Sequence, residues 1–168
     1  MTRAKGPLYN VHYKRRRLGK TDYAKRLGLL KSGLPRLVVR KTNRGFIIQV
    51  TEYSETGDKA LTQVTSRALY DYGWMPKRNA PTAYLTGYLC GIKAKAKGVE
   101  RVVLDIGLHP STKGGIVFAC LKGAVDAGLA SNYGAEQLPS EERMTGKHLK
   151  LDEAFAKAKE SIGKGVKS

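Results

Sequence analysis

Acids are nearly absent from the first fifty residues, where Asp22 is the one carboxylate among 14 Lys and Arg. That stretch therefore does not balance its own charge. Cysteine is scarce, with Cys90 and Cys120 both in apolar runs and no paired spacing. This excludes a disulfide framework and fits small buried hydrophobes in a reducing compartment. The three histidines, His12, His109 and His148, lie in different segments, and none has metal-ligand spacing. No apolar run approaches the roughly 18 residues that a membrane-spanning helix needs. The N-terminus is basic with no apolar run behind it, so a secretory leader is not expected and a soluble cytoplasmic protein is.

What is present is cationic. The 168 residues carry 31 Lys and Arg against 14 Asp and Glu, a formal net charge of +17. Solubility needs far less. Residues 1–50 hold +13 of it, and the remaining 118 residues are close to balanced. An excess of this kind implies a polyanionic partner, nucleic acid before membrane. The 41% hydrophobic content argues against disorder of the whole chain.

Residues 1–20 have no hydrophobic period and read as an extended arm that orders on a partner. Thr21 or Asp22 is placed to cap a short helix on which Tyr23, Leu27 and Leu30 share one face, turned toward the core. Lys25, Arg26 and Lys31 are left for outward contacts. Gly33 and Pro35 end that helix. Arg36 to Thr42 and Phe46 to Tyr53 alternate as two strands. The loop Asn43-Arg44-Gly45 between them suits a hairpin with glycine in the left-handed position. Glu55-Thr56-Gly57-Asp58 forms a further turn, and Ala60 to Ser66 a weakly patterned third strand.

Residues 81–97 predict a helix with Leu85, Tyr88, Leu89, Ile92 and Ala96 as its stripe. Gly87 and Gly91 on a neighbouring face would let it approach a sheet closely. Val102 to Ile106 reads as a buried parallel strand, and 116–128 as another helix. Leu151, Phe155, Ala158 and Ile162 predict a docked amphipathic helix, with residues from Gly163 onward mobile. The fold class is α/β, a mixed sheet packed with helices. The divisions are 1–33 for the basic arm and short helix, 34–130 for the globular body, and 131–168 for a C-terminal extension.

Catalytic chemistry finds little support. Gly19-Lys20-Thr21 lacks the earlier glycine and the preceding apolar strand of a phosphate-binding loop. Metal-assisted nuclease chemistry needs clustered carboxylates, and Asp105 has no acidic partner nearby in sequence, so a turn-capping role is favoured. The expectation is no enzyme, no cofactor, no bound metal and no small-molecule substrate. Ser111-Thr112-Lys113-Gly114-Gly115, ahead of a helix, has two open readings: a phosphate site built from Lys113, Gly114 and Gly115, or an ordinary glycine-rich approach to the helix.

The arm carries the strongest functional signal. Arg3, Lys5, Lys14, Arg15, Arg16, Arg17 and Lys20, with Thr21, Lys25 and Arg26 beyond, are placed to neutralise phosphates. Tyr9 and Tyr13 suit stacking on unpaired bases. Arg36, Arg40, Lys41, Asn43 and Arg44 extend the surface across the first strand and hairpin.

The run KRRRLGKTDYAKRLGLLKSGLPRLVVRKTNRGFIIQV resembles the archaeal form of the eighteenth large-subunit ribosomal protein family, which binds 5S ribosomal RNA. VVLDIGLHPSTKGGIVFACLKGAVDAGL is similar to the family's later strand and helix, and LPSEERMTGKHL to an extension of archaeal and eukaryotic members. The resemblance implies a ribonuclease-H-like arrangement without its catalytic carboxylates. It also implies a place in the central protuberance, where the protein helps attach 5S RNA to the 23S-type large-subunit RNA beside neighbouring ribosomal proteins. RNA contacts would then fall on the arm, the Asn43-Arg44 hairpin and the region from Lys113 to Gly115. The rivals are a general nucleic-acid packaging protein and, more remotely, a ribonuclease-H-like nuclease. A membrane-surface role lacks the amphipathic arginine-rich helix it requires.

Overall fold

The structure, a computed structural model, describes residues 6–165. Arg3, Lys5 and the last three residues of the expected mobile end lie outside that range. Four strands form one mixed sheet in the order β3-β2-β1-β4. They are β1 (Arg36–Lys41), β2 (Phe46–Glu52), β3 (Lys59–Thr65) and β4 (Val103–Asp105). The first three are antiparallel neighbours, and β4 lies parallel to β1 with Leu37 opposite Leu104. The strand expected at Val102 to Ile106 is thus parallel, as its pattern implied, but short, at the sheet edge and only partly buried.

Alternation divides the sheet into two faces. Leu37, Val39, Ile48 and Val50 are fully buried on one side, with Phe46 and Val64 nearly so. Across that face runs α3 (Ala80–Lys95), whose first turn is capped by Asn79 Oδ1 accepting from the Thr82 N–H at 3.1 Å. Burial surrounds α3, since 12 of its 16 residues are buried, so one stripe does not describe it. Tyr88 and Ile92 are half-buried and Ala96 is exposed, whereas Ala83, Thr86, Cys90 and Ala94 are inside. Its second neighbour is α4 (Ile116–Asp126).

Gly87 and Gly91 serve this second contact, not the sheet as the sequence suggested. A Cβ on Gly87 would sit 2.1 Å from the Cys120 carbonyl oxygen, and one on Gly91 would sit 2.7 Å from Ala127 Cβ. Gly123 of α4 answers with 2.1 Å to the Tyr84 carbonyl oxygen. The two backbones therefore interlock through missing side chains, and Leu85, Leu89 and Leu121 close the core around them. Each such leucine contributes about 2 kcal/mol by leaving water.

The hairpin glycine also has a different reason from the expected one. Gly45 is absent from the positive-φ glycines of the described residues. A Cβ there would meet Ser66 Oγ at 2.1 Å. Close packing selects it, and the Phe46 N–H donates to the same Ser66 hydroxyl at 3.1 Å.

The C-terminal segment docks as expected. Phe155, Ala158 and Ile162 of α6 (Asp152–Gly165) are buried. The Phe155 ring meets Trp74 edge-on at 6.3 Å and Tyr84 at 5.3 Å. Lys159 Nζ donates to Tyr84 Oη at 2.9 Å, and that hydroxyl donates to Asp126 at 2.6 Å. Burial, then the Asp126 hydrogen bond and charge, push the Tyr84 pKa well up. The helix continues through Gly165, so Gly163 to Gly165 extend it. Between the body and α6 stands α5 (Glu141–Thr145), which buries Met144.

The interlocked glycines give a direct stability test. Gly123→Ala overpacks the crossing and lowers the free energy of unfolding by about 2 kcal/mol or more in urea titration. Gly28→Ala, in a helix where nothing lies within 4 Å of the new methyl, leaves stability unchanged or raises it slightly.

Candidate nucleic-acid interface

The second face of the sheet is where the charge lies. Alternation sends Arg36, Val38 and Arg40 of β1 and Ile47, Gln49 and Thr51 of β2 away from α3. Above them lies α2 (Tyr23–Leu30), capped by Asp22 Oδ1, which accepts from the N–H groups of Ala24 and Lys25 at 3.0 and 3.2 Å. A cleft of about 1100 Å³ separates helix from sheet. Arg15, Lys20, Lys25 and Tyr23 line one wall, and Arg40, Gln49 and His109 line the other.

A chain of ion pairs crosses the floor of this cleft. Arg36 is 2% exposed, and its Nη1 meets Asp105 Oδ2 at 2.8 Å. Its Nη2 meets Asp58 Oδ2 at 2.6 Å. Asp58 in turn takes Arg26 of α2 at 2.7 Å, while Asp105 takes Arg40 at 3.5 Å. Asp105 Oδ1 also accepts from the Gly107 N–H at 2.8 Å, the turn-capping role expected of it. Its oxygens are thus held by two arginines and a backbone amide. Removing one partner from a buried pair of this kind is destabilising by about 3–5 kcal/mol.

Two of the expected RNA contacts are engaged within the protein: Arg36 is buried, and Arg26, which still lines the cleft, pairs with Asp58. The α2 apolar face is also less buried than its spacing implied: it has no buried residue, and Leu27 is 57% exposed. Tyr23 is half-buried and packs against the Tyr13 ring at 5.3 Å, so it belongs to the cleft wall rather than the core.

The arm is not wholly extended. Lys14–Arg17 form α1, a single exposed turn, and Arg15 Nε donates to Thr21 Oγ1 at 2.8 Å. That bond ties the basic run to the start of α2. No acid among the described residues pairs with Lys14, Arg16, Arg17, Lys20 or Lys25. Tyr9 and Tyr13 are exposed. These cations and rings are free for a polyanion and its bases.

Other candidates separate from the cleft. Arg44 lies in a second groove at the hairpin tip, and Asn43 is exposed in the same loop. Lys41 is half-buried and, after burial itself and together with Arg40, holds the His109 pKa below its ordinary value. Around Lys113 the polar groups find partners within the protein, though the Lys113–Glu136 pair is exposed to solvent. Lys113 Nζ pairs with Glu136 at 2.7 Å, the Gly114 N–H donates to Gln137 O, and the Gly115 N–H donates to Thr112 O.

The comparisons bear on this geometry. Residues 8–98 and 93–134 match the model of ribosomal large subunit proteins 60S L5 and 50S L18. The chain belongs to that family. It is also 48% identical over 147 residues to the "Large ribosomal subunit protein uL18" of Korarchaeum cryptofilum (strain OPF8), covering 87% of this chain and 75% of the relative. The chain is thus a structural constituent of the large ribosomal subunit, of archaeal type, and a cytoplasmic protein. Among the described residues no helix is long and apolar enough to cross a membrane.

Sequence reading missed His109 as a cleft residue, and also Tyr70, Arg67, Lys77 and Arg78 around the second groove. Lys77-Arg78, two adjacent cations between Pro76 and the Asn79 cap, was the visible signal.

Acid sensitivity follows from the ion-pair chain. Burial opposes the Asp58 charge, but hydrogen bonds from Arg26 and Arg36 outweigh it and hold the pKa below the ordinary value of 3.8. A depressed folded-state pKa contributes stability that is present above about pH 4 and lost as pH falls through the folded value. Thermal unfolding of Asp58→Asn should therefore fall less steeply between about pH 4 and pH 2 than that of the parent, from a lower starting stability.

Proposed function

We propose that this chain binds 5S ribosomal RNA and helps attach it to the 23S-type large-subunit RNA in the central protuberance, beside neighbouring ribosomal proteins. One observation carries the reading: cations with no acid partner, from α1 to α2, stand beside a cleft in which Asp58 and Asp105 are already paired with arginines, the buried Arg36 among them. The third cleft acid, Asp22, is turned to the start of α2, where its Oδ1 accepts from the Ala24 and Lys25 N–H groups. The leading contacts are Lys14, Arg15, Arg16, Arg17, Lys20 and Lys25, with Arg40 at the cleft wall and Tyr9 and Tyr13 available to stack on unpaired bases. Backbone neutralisation supplies affinity, and the folded body supplies orientation.

The fold reading is finer than α/β. An antiparallel trio, a helix and then a strand parallel to the first support a ribonuclease-H-like relation. The protein does no chemistry on this reading, because the carboxylate a nuclease would use, Asp105, is engaged by Arg36 and Arg40. A separate C-terminal extension is in keeping with the family match, which ends at residue 134.

Titration of 5S RNA across salt tests the proposal. With about 6–10 phosphate contacts, affinity falls on the order of 10³–10⁵ between about 50 and 200 mM salt. Replacing Arg15, Arg16 and Arg17 with Ala flattens the logarithmic slope by about two to three. An unchanged slope removes the arm from the interface. Equal affinity for duplex DNA at physiological salt would favour the packaging reading instead.

A further inference from the structure

The second groove has an architecture of its own. It encloses about 780 Å³ and shares no lining residue with the cleft under α2. Three segments build it: the hairpin tip, the 3-10 helix Ser66–Tyr72, and the loop before α3. Each contributes cations. Arg44 comes from the hairpin, Arg67 from the 3-10 helix, and Lys77 and Arg78 from the loop.

Packing fixes these positions from below. The absent Gly45 side chain lets the hairpin close on Ser66, so Arg44 and Arg67, the next residues along, are held as neighbours. The Thr82 hydroxyl accepts from Trp74 Nε1 at 2.9 Å and from the Lys77 N–H at 3.2 Å, which pins the loop to the start of α3. The four cations thus stand on braced backbone, not on a loose loop.

None of the four is paired with an acid among the described residues. Asp71, in the same 3-10 helix, makes no ion pair with them. Tyr70 lines the groove and is 58% exposed. Rigid, unpaired cations flanking an open aromatic ring suit a sugar-phosphate backbone with an unpaired base.

We infer that this groove is a second RNA-binding surface, one that takes a segment of large-subunit RNA different from the RNA held by the arm. It rests on the proposed function, which it deepens: two independent cationic sites on one rigid body let a single chain bridge two RNAs.

The test uses the full chain. The parent and the variant Arg67→Ala/Lys77→Ala/Arg78→Ala are each saturated with 5S RNA and titrated with 23S-type RNA. The altered side chains are exposed, and an unchanged circular dichroism melt checks the fold. The inference expects the variant to keep 5S affinity within about twofold and its salt slope, while capture of 23S-type RNA weakens about tenfold or more. Tyr70→Ala, tested separately, should weaken the same capture without changing its salt slope. Undiminished capture by the triple variant overturns the inference, and leaves the groove to an acidic protein neighbour. Loss of 5S binding in that variant also overturns it, because the groove then belongs to the first RNA. Failure of the parent itself to bind 5S RNA would instead sink the reading beneath.

Discussion

The buried Arg36 guanidinium organises the RNA-facing side of this protein. It bridges Asp58 and Asp105, and through them reaches Arg26 on α2 and Arg40 on β1. Burying such a charge is tolerable only when its partners are supplied, so the turn at Asp58 and the end of β4 are fixed in place together. The same network removes two carboxylates from the cleft as independent anions. What remains beside it is mostly cationic, with Asp22 serving as the cap of α2. The arrangement therefore joins stability to function: the acids that hold α2 against the sheet are the ones that would otherwise repel phosphate.

Beneath the sheet, rigidity comes from a different source. α3 and α4 cross with Gly87, Gly91 and Gly123 in place of side chains, and the core closes over them. The start of α3 carries the Asn79 cap and Thr82, which brace the loop holding Lys77 and Arg78. α6 docks on the same helix through Phe155 and the Lys159–Tyr84–Asp126 bonds. One buried helix thus supports the sheet and steadies both the second groove and the C-terminal segment. A body of this kind is suited to presenting charge at fixed positions.

Much of this was legible in the sequence because it depends on local period and composition. The β1 and β2 alternation, the helix over 81–97 (observed as Ala80–Lys95), the spacing of Phe155, Ala158 and Ile162, and the acid-free leader were all legible. The failures share a cause: pairing across long separations leaves no local trace. Arg36 looked like one more surface cation because its partners lie 22 and 69 residues away. Gly45 looked like a turn glycine because Ser66, the atom group that excludes a side chain, is 21 residues on. Gly87 and Gly91 announced a close approach but were assigned to the sheet, because α4, their true partner, follows only after the intervening β4. Tyr23 and Leu27 had helical spacing but no layer to cover them. Of the groove cations Arg44 was named, but Arg67, Lys77 and Arg78 were missed because they meet the hairpin only in the folded chain.

Lysine acylation read by mass spectrometry, on the free chain and on the chain saturated with 5S RNA, is the most direct check on where the polyanion sits. Lys14, Lys20 and Lys25, exposed and unpaired beside the cleft, should lose reactivity severalfold on binding, while exposed Lys150 and Lys157 at the far segment stay as reactive as before. Protection of Lys150 and Lys157 with the three leading lysines still reactive would contradict the account.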